Sequence, residues 1–144
     1  MDWIDDVREY TEGVVAVSNK QGLYGYFDHT CRQLLPCRWA YAQPFSEGLA
    51  AVENHDGRYG FIDREGRVQI PFEWLQATWF QEGLAAVMNA DYEWGFIDRM
   101  GRVQIPCQWA EVDDFSDGRA TVWDADDHEY VIDCEGNIIS YAPS

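Results

Sequence analysis

Phe45-Ser46-Glu47-Gly48-Leu49-Ala50-Ala51-Val52-Glu53-Asn54 is followed, 35 residues on, by Phe80-Gln81-Glu82-Gly83-Leu84-Ala85-Ala86-Val87-Met88-Asn89. The interval holds along the whole chain. It separates Gly13, Gly48, Gly83 and Gly118, and also Asp28, Asp63, Asp98 and Asp133. Pro36, Pro71 and Pro106 keep it, as do Trp39, Trp74 and Trp109. A fixed period of this size marks a repeat architecture, in which one small unit cannot bury its apolar face alone and stacks on its neighbours. The period divides one domain, residues 1–144, into four units at about 4–38, 39–73, 74–108 and 109–144.

Within a unit the pattern is that of short strands. Gly-Leu-Ala-Ala-Val launches the first. A polar turn follows, His55-Asp56-Gly57 or Ala90-Asp91-Tyr92. The second strand, Tyr59-Gly60-Phe61-Ile62 or Trp94-Gly95-Phe96-Ile97, is aromatic and branched, as strands prefer. Asp63-Arg64-Glu65-Gly66 and Asp98-Arg99-Met100-Gly101 read as tight turns, with the Asp capping backbone amides and the Gly free to take positive φ. A third strand, Val68-Gln69-Ile70 or Val103-Gln104-Ile105, is expected to be closed by Pro71 or Pro106, because proline lacks the ladder donor and so ends pairing or sits on an edge. No 3.6-residue periodicity is sustained, which leaves room for a single helical turn near Leu75–Phe80 or Val112–Phe115. The expected fold is all-β: four antiparallel three-stranded meanders stacked in a twisted solenoid-like array. The alternative is a closed barrel or a small propeller-like ring.

The units resemble the WG-repeat family of bacterial tandem repeats. Gly-Leu-Ala-Ala-Val, the aromatic-Gly pair (Tyr24-Gly25, Tyr59-Gly60, Trp94-Gly95), Phe-Ile-Asp, x-x-Gly and the strand ending in Pro carry the likeness. It implies a binding or scaffolding repeat with no shared catalytic residues. The end units depart from it. Cys31 replaces the turn Gly in the first, and Trp3 is one residue out of phase with Trp39. In the fourth, Glu129-Tyr130 replaces the aromatic-Gly pair and Tyr141 stands where proline is expected. Terminal repeats have a neighbour on one side only.

Most residues with chemical potential recur because the unit needs them. The phased aspartates read as turn caps, Arg32, Arg67 and Arg102 as a solvated row, and the phased tryptophans as core plugs rather than a sugar-stacking row. His29, His55 and His128 hold unrelated positions with no metal-binding spacing. The run Asp124-Ala125-Asp126-Asp127-His128-Glu129 offers oxygen ligands but lacks the glycine and spacing of a calcium loop. No nucleophile motif or phosphate loop is present, so neither an enzyme nor a cofactor is expected. Cys31, Cys37, Cys107 and Cys134 fit no zinc pattern and are expected as free thiols, with Cys37 and Cys107 as small apolar fillers.

Charge is what the repeat does not explain. The net charge is −16, with Lys20 the one lysine. Residues 1–13 carry five acids and Arg8, residues 14–108 eleven acids and eight bases, and residues 109–144 ten acids and Arg119. These segments hold −4, −3 and −9. Such a chain is not expected to bind nucleic acid or anionic membranes, which call for Lys and Arg. The opening Met1-Asp2-Trp3-Ile4-Asp5-Asp6 lacks the basic start of a secretory signal, and no stretch has the length of a membrane span, so a cytoplasmic location is expected. The leading functional expectation is a non-catalytic protein-binding module. Glu111, Asp113, Asp114, Asp117, Asp124, Asp126, Asp127 and Glu129 would meet a basic partner protein, for instance as an immunity-type inhibitor of a bacterial toxin. Carbohydrate or small-ligand binding through exposed repeat aromatics is the alternative, and an enzyme with no recognisable motif is the second.

Overall fold

The computed structural model describes residues 4–7, 13–28 and 30–141, with backbone alone at 4–7 and 141. His29, Trp3 and the acidic side chains of residues 1–12 lie outside the described residues. The described chain is all β, and no helix occurs in it, Leu75–Phe80 and Val112–Phe115 included. Sixteen strands form four antiparallel sheets, each a meander of four. The first sheet holds β1 (Ile4–Val7), β2 (Val14–Asn19), β3 (Tyr24–Asp28) and β4 (Gln33–Trp39). The second holds β5 (Tyr41–Ala42), β6 (Ala50–Glu53), β7 (Tyr59–Ile62) and β8 (Val68–Trp74). The third holds β9 (Gln76–Ala77), β10 (Ala85–Met88), β11 (Trp94–Ile97) and β12 (Val103–Trp109). The fourth holds β13 (Glu111–Val112), β14 (Arg119–Trp123), β15 (Glu129–Asp133) and β16 (Ile138–Tyr141).

Three expectations are corrected. The unit has four strands, not three, because a two-residue strand that begins two residues after Trp39, Trp74 or Trp109 pairs with the next hairpin, as Tyr41 with Glu53 and Gln76 with Met88. The glycine does not launch a strand. Glu47-Gly48, Glu82-Gly83 and Asp117-Gly118 all have positive φ and close two-residue turns, bridged by Ser46–Leu49, Gln81–Leu84 and Ser116–Arg119. Both central residues at positive φ is the hairpin turn whose twist matches its strands.

Proline, thirdly, does not close the strand, and of the two places its missing donor allows it takes the edge. Pro36, Pro71 and Pro106 lie inside β4, β8 and β12, each seven residues long. In the first sheet Tyr24 pairs with Trp39 and Tyr26 with Leu35, so residues 36–38 bulge over the single Gly25. In the third sheet Trp94 pairs with Trp109 and Phe96 with Ile105, so residues 106–108 bulge over Gly95. The bulge explains the aromatic-Gly pair. A Cβ on Gly25, Gly60 or Gly95 would stand 2.7, 2.6 or 2.5 Å from the carbonyl oxygen of the outer strand. Proline is admitted because an edge strand at a bulge needs no outward donor.

The chain forms two compact units, Met1–Glu73 and Trp74–Ser144. In the first, Val14, Ala16, Tyr26, Leu35 and Trp39 of one sheet pack on Ala42, Phe45, Ala50, Val52 and Ile62. Tyr26 is fully buried, and its hydroxyl donates to the Gln43 carbonyl at 2.6 Å. Burial, with Tyr41 second, pushes that phenol up. In the other unit, Leu84, Ala86, Phe96, Ile105 and Trp109 pack on Phe115, Ala120, Val122 and Ile132. Phe96 meets Phe115 edge to face, with centroids 4.8 Å apart. Trp39, Trp74 and Trp109 are buried, as core plugs should be. Each buried phenylalanine contributes about 1.5–3 kcal/mol by transfer from water.

Candidate functional site

Strand pairing sorts the eight candidate acids of residues 111–129 into two groups. Glu111 lies opposite Trp123 on β14, and Trp123 lies opposite Glu129 on β15. Two glutamates therefore flank a half-buried tryptophan, at the same end of the sheet as the turn with Asp124, Asp126 and Asp127. Asp113, Asp114 and Asp117 fall toward the opposite end. There the Asp113 amide donates to Thr121, and Asp117-Gly118 forms the tight turn into β14.

The two groups differ in chemistry. Asp124 is committed to its own turn. Its Oδ1 accepts from the Asp126 and His128 amides at 2.9 Å each, and its Oδ2 from the Tyr130 hydroxyl at 3.1 Å. The His128 Nδ1 also lies 3.2 Å from that Oδ2. These bonds, the His128 amide foremost, hold its carboxyl below the usual range. Asp124, Asp126 and His128 bring ligand atoms within 4.8 Å of one another, yet Asp124 accepts four bonds from the protein already. Asp126 and Asp127 project into solvent.

At the other end Asp113, Asp114, Ser116, Arg119, Ala120, Thr121, Val131 and Ser140 line an open cleft of about 350 Å³. Partial desolvation, and secondly the neighbouring Asp113 carboxylate, push the Asp114 carboxyl up. Arg119, the one base in residues 109–144, stands in the same cleft. Thr121, Val131 and Ser140 replace the Ala86, Phe96 and Ile105 that are buried in the third sheet. Two of these three positions are polar in the last sheet, where all three are apolar in its predecessor.

The other phased residues take the places their repetition suggested. Asp28, Asp63, Asp98 and Asp133 each accept two backbone amides through Oδ1. Arg67 and Arg102 are exposed beside Asp63 and Asp98. All four thiols are free, and Cys37 and Cys107 are half-buried fillers whose thiols burial pushes up. Sequence reasoning missed two features. Glu82 reaches one period forward, and its carboxylate accepts the Asp117 and Gly118 amides at 2.7 and 2.8 Å. Tyr92 sits exposed at φ 64°, where Gly22 and Gly57 stand in earlier turns. Overlaying the copies shows the Tyr92 exception and the in-phase Glu47 and Glu82, but nothing local predicts the long-range clasp.

A model for the WG containing repeat matches residues 24–58, 59–92 and 94–122, most of the chain, and the chain belongs to that family. Comparison with curated protein sequences found no match. Among solved structures the chain is similar to the computationally designed Ika8 protein, with a TM-score of 0.63 and 13% identity over 96% of this chain and 48% of that one. It is similar to BamB from Moraxella catarrhalis, with a TM-score of 0.58 and 14% identity over 96% of this chain and 50% of the other. The WD40 β-propeller domain of Doa1 gives a TM-score of 0.51 and 12% identity over 98% and 54%. The chain thus spans about half the length of these structures. At such identities the likeness is one of fold, and the four-stranded meander is the blade unit of a propeller.

Proposed function

We propose that this WG-repeat chain is a non-catalytic interaction module whose fourth sheet binds a basic partner protein. The observation that carries the reading is the placement of charge. Residues 109–144 hold −9, while the middle repeats meet the same structural demands near neutrality. Of the eight acids, only Asp124 is committed to holding its own turn through its carboxylate hydrogen bonds. The two groups of acids offer cation-binding surface at both ends of one sheet, and a dense patch of one sign speeds encounter with an opposite surface. Occlusion of a basic active site, as by an immunity-type inhibitor of a toxin, is a concrete form of this reading. Burial of Trp39, Trp74 and Trp109 removes the phased row that would have stacked sugars.

The test is capture of partners on the purified chain from its native host, with mass spectrometry. A basic protein is expected, released by salt and lost when Asp113, Asp114, Asp126 and Asp127 are changed to Lys. Retention of the same partner by that variant would sink the proposal.

A further inference from the structure

Edge strands are templates for pairing, and proteins guard them with proline, charge or brevity. In this chain β5, β9 and β13 are guarded by length, at two residues each. The outer strands β4, β8 and β12 carry Pro36, Pro71 and Pro106. β1 holds two aspartates in four residues. β16 has none of these devices. Its sequence is Ile-Ile-Ser-Tyr, with Ile138 and Ile139 44% and 49% exposed.

Two departures from the repeat work together here. Tyr130 stands where Gly25, Gly60 and Gly95 stand, and Tyr141 where the prolines stand. With a side chain at 130 the outer strand cannot press onto β15, and without proline it has no wide bulge to make. The register records this. Tyr130 pairs directly with Tyr141, and Val131 with Ser140, where the first and third sheets open a three-residue bulge. Ile139 is the one extra residue, between the Ser140 and Ile138 pairs, and among the described outer strands β16 alone is free of proline.

We propose that β16 is a docking edge that accepts an extended basic segment of a partner protein as a fifth strand of the fourth sheet. The inference rests on the interaction-module reading and adds its mode: backbone pairing supplies affinity and side-chain subsites supply selectivity. Charge selects the occupant. A second copy would bring another −9 segment against this one, whereas a strand bearing Lys or Arg meets opposite charge. Ser140 of β16 itself lines the cleft of Asp113, Asp114 and Arg119, so side chains of an added strand on that face lie beside it.

The experiment titrates the full chain with a peptide of alternating lysine and valine. It is repeated with the same peptide N-methylated at alternate residues, which keeps the charge and blocks the ladder, and with the Tyr141→Pro chain. Proline at 141 copies what the other three units carry, and the N-methylated peptide needs no variant at all. Amide hydrogen exchange follows Ile138–Tyr141. The parent peptide is expected to slow exchange there, and N-methylation or Tyr141→Pro to weaken binding about tenfold or more. Equal binding of both peptides with no protection of β16 overturns strand addition, while salt-sensitive binding of both leaves the acidic-surface reading intact. Binding that protects β16 but ignores salt and charge reversal at 113, 114, 126 and 127 overturns that reading instead. A concentration-dependent dimer abolished by Tyr141→Pro gives the edge to a second copy and overturns the basic occupant.

Discussion

Glu82 shows how much a single exposed side chain can do in a repeat. It sits at φ 53°, a left-handed conformation that disfavours residues with a Cβ. Its carboxylate offsets this by accepting two amides of the next turn, at Asp117 and Gly118. Hydrogen bonds to a charged group contribute more than neutral ones, so Glu82→Ala is expected to lower stability by about 1–2 kcal/mol. Urea denaturation measures this, and an unchanged midpoint would deny the clasp its role. Tyr92 presents the opposite case. At φ 64° it bears the left-handed cost in a turn where Gly22 and Gly57 do not. Tyr92→Gly is expected to raise stability by roughly 0.5–1 kcal/mol, less than the full left-handed cost because glycine widens the unfolded ensemble. A loss of stability would show that Tyr92 makes a contact that matters. Of these two, Tyr92 was open to a sequence comparison, since overlaid copies show it in a glycine position. The clasp was not, because its partners lie a full period apart and no local pattern marks an acceptor.

At the scale of the element, the aromatic-Gly pair is a consequence of the outer-strand bulge. A Cβ on Gly95 would meet the Ile105 carbonyl at 2.5 Å and the Cys107 amide nitrogen at 2.7 Å, both backbone atoms. Gly95→Ala is therefore expected to cost about 1–3 kcal/mol through displacement of β12. Tyr130→Gly in the fourth sheet gains no such fit. It loses instead the ring contact with Trp109, at 5.5 Å, and the hydroxyl bond to Asp124. Paired denaturation curves check the contrast, and a harmless Gly95→Ala would refute the bulge account. The hairpins and turns of the unit were legible from Ala-Ala-Val, Phe-Ile-Asp and x-x-Gly. The fourth strand was not, since two residues such as Gln76-Ala77 are too few to show alternation. Proline admits two readings, an end to pairing or a place on an edge, and only the pairing of β12 with β11 selects the edge. The acids of the candidate site were legible as composition. Their division between two ends was hidden, because it depends on the direction in which β13 pairs with β14.

For the whole molecule, charge and pH set the last expectation. Asp63, Asp98, Asp124 and Asp133 all have carboxyls held below the usual range. At Asp63 and Asp98 partial desolvation pulls upward and is outweighed by backbone amides and the adjacent guanidinium. At Asp124 and Asp133 the leading cause is the amide four residues on. A carboxyl with a lowered folded pKa stabilises the fold above its unfolded value of about 3.9, and that contribution is lost as pH falls through the lowered value. Asp114, raised, has the opposite sign, but it is one group against four. Self-repulsion works in another range. The chain carries −16 at pH 7 and is neutral near pH 4.2, so excess charge destabilises it at pH 7 and the effect fades toward that point. Salt should therefore raise the urea midpoint at pH 7, with screening nearly complete by about 0.3 M. The gain should vanish near the isoelectric pH, below which the four aspartates lose their caps and the fold weakens. A midpoint that falls with salt at pH 7 would mean that local pairs such as Arg102–Asp98 outweigh the net charge. In that case the acids of the fourth sheet are balanced within the chain, and the attraction to a basic partner proposed for them loses its source.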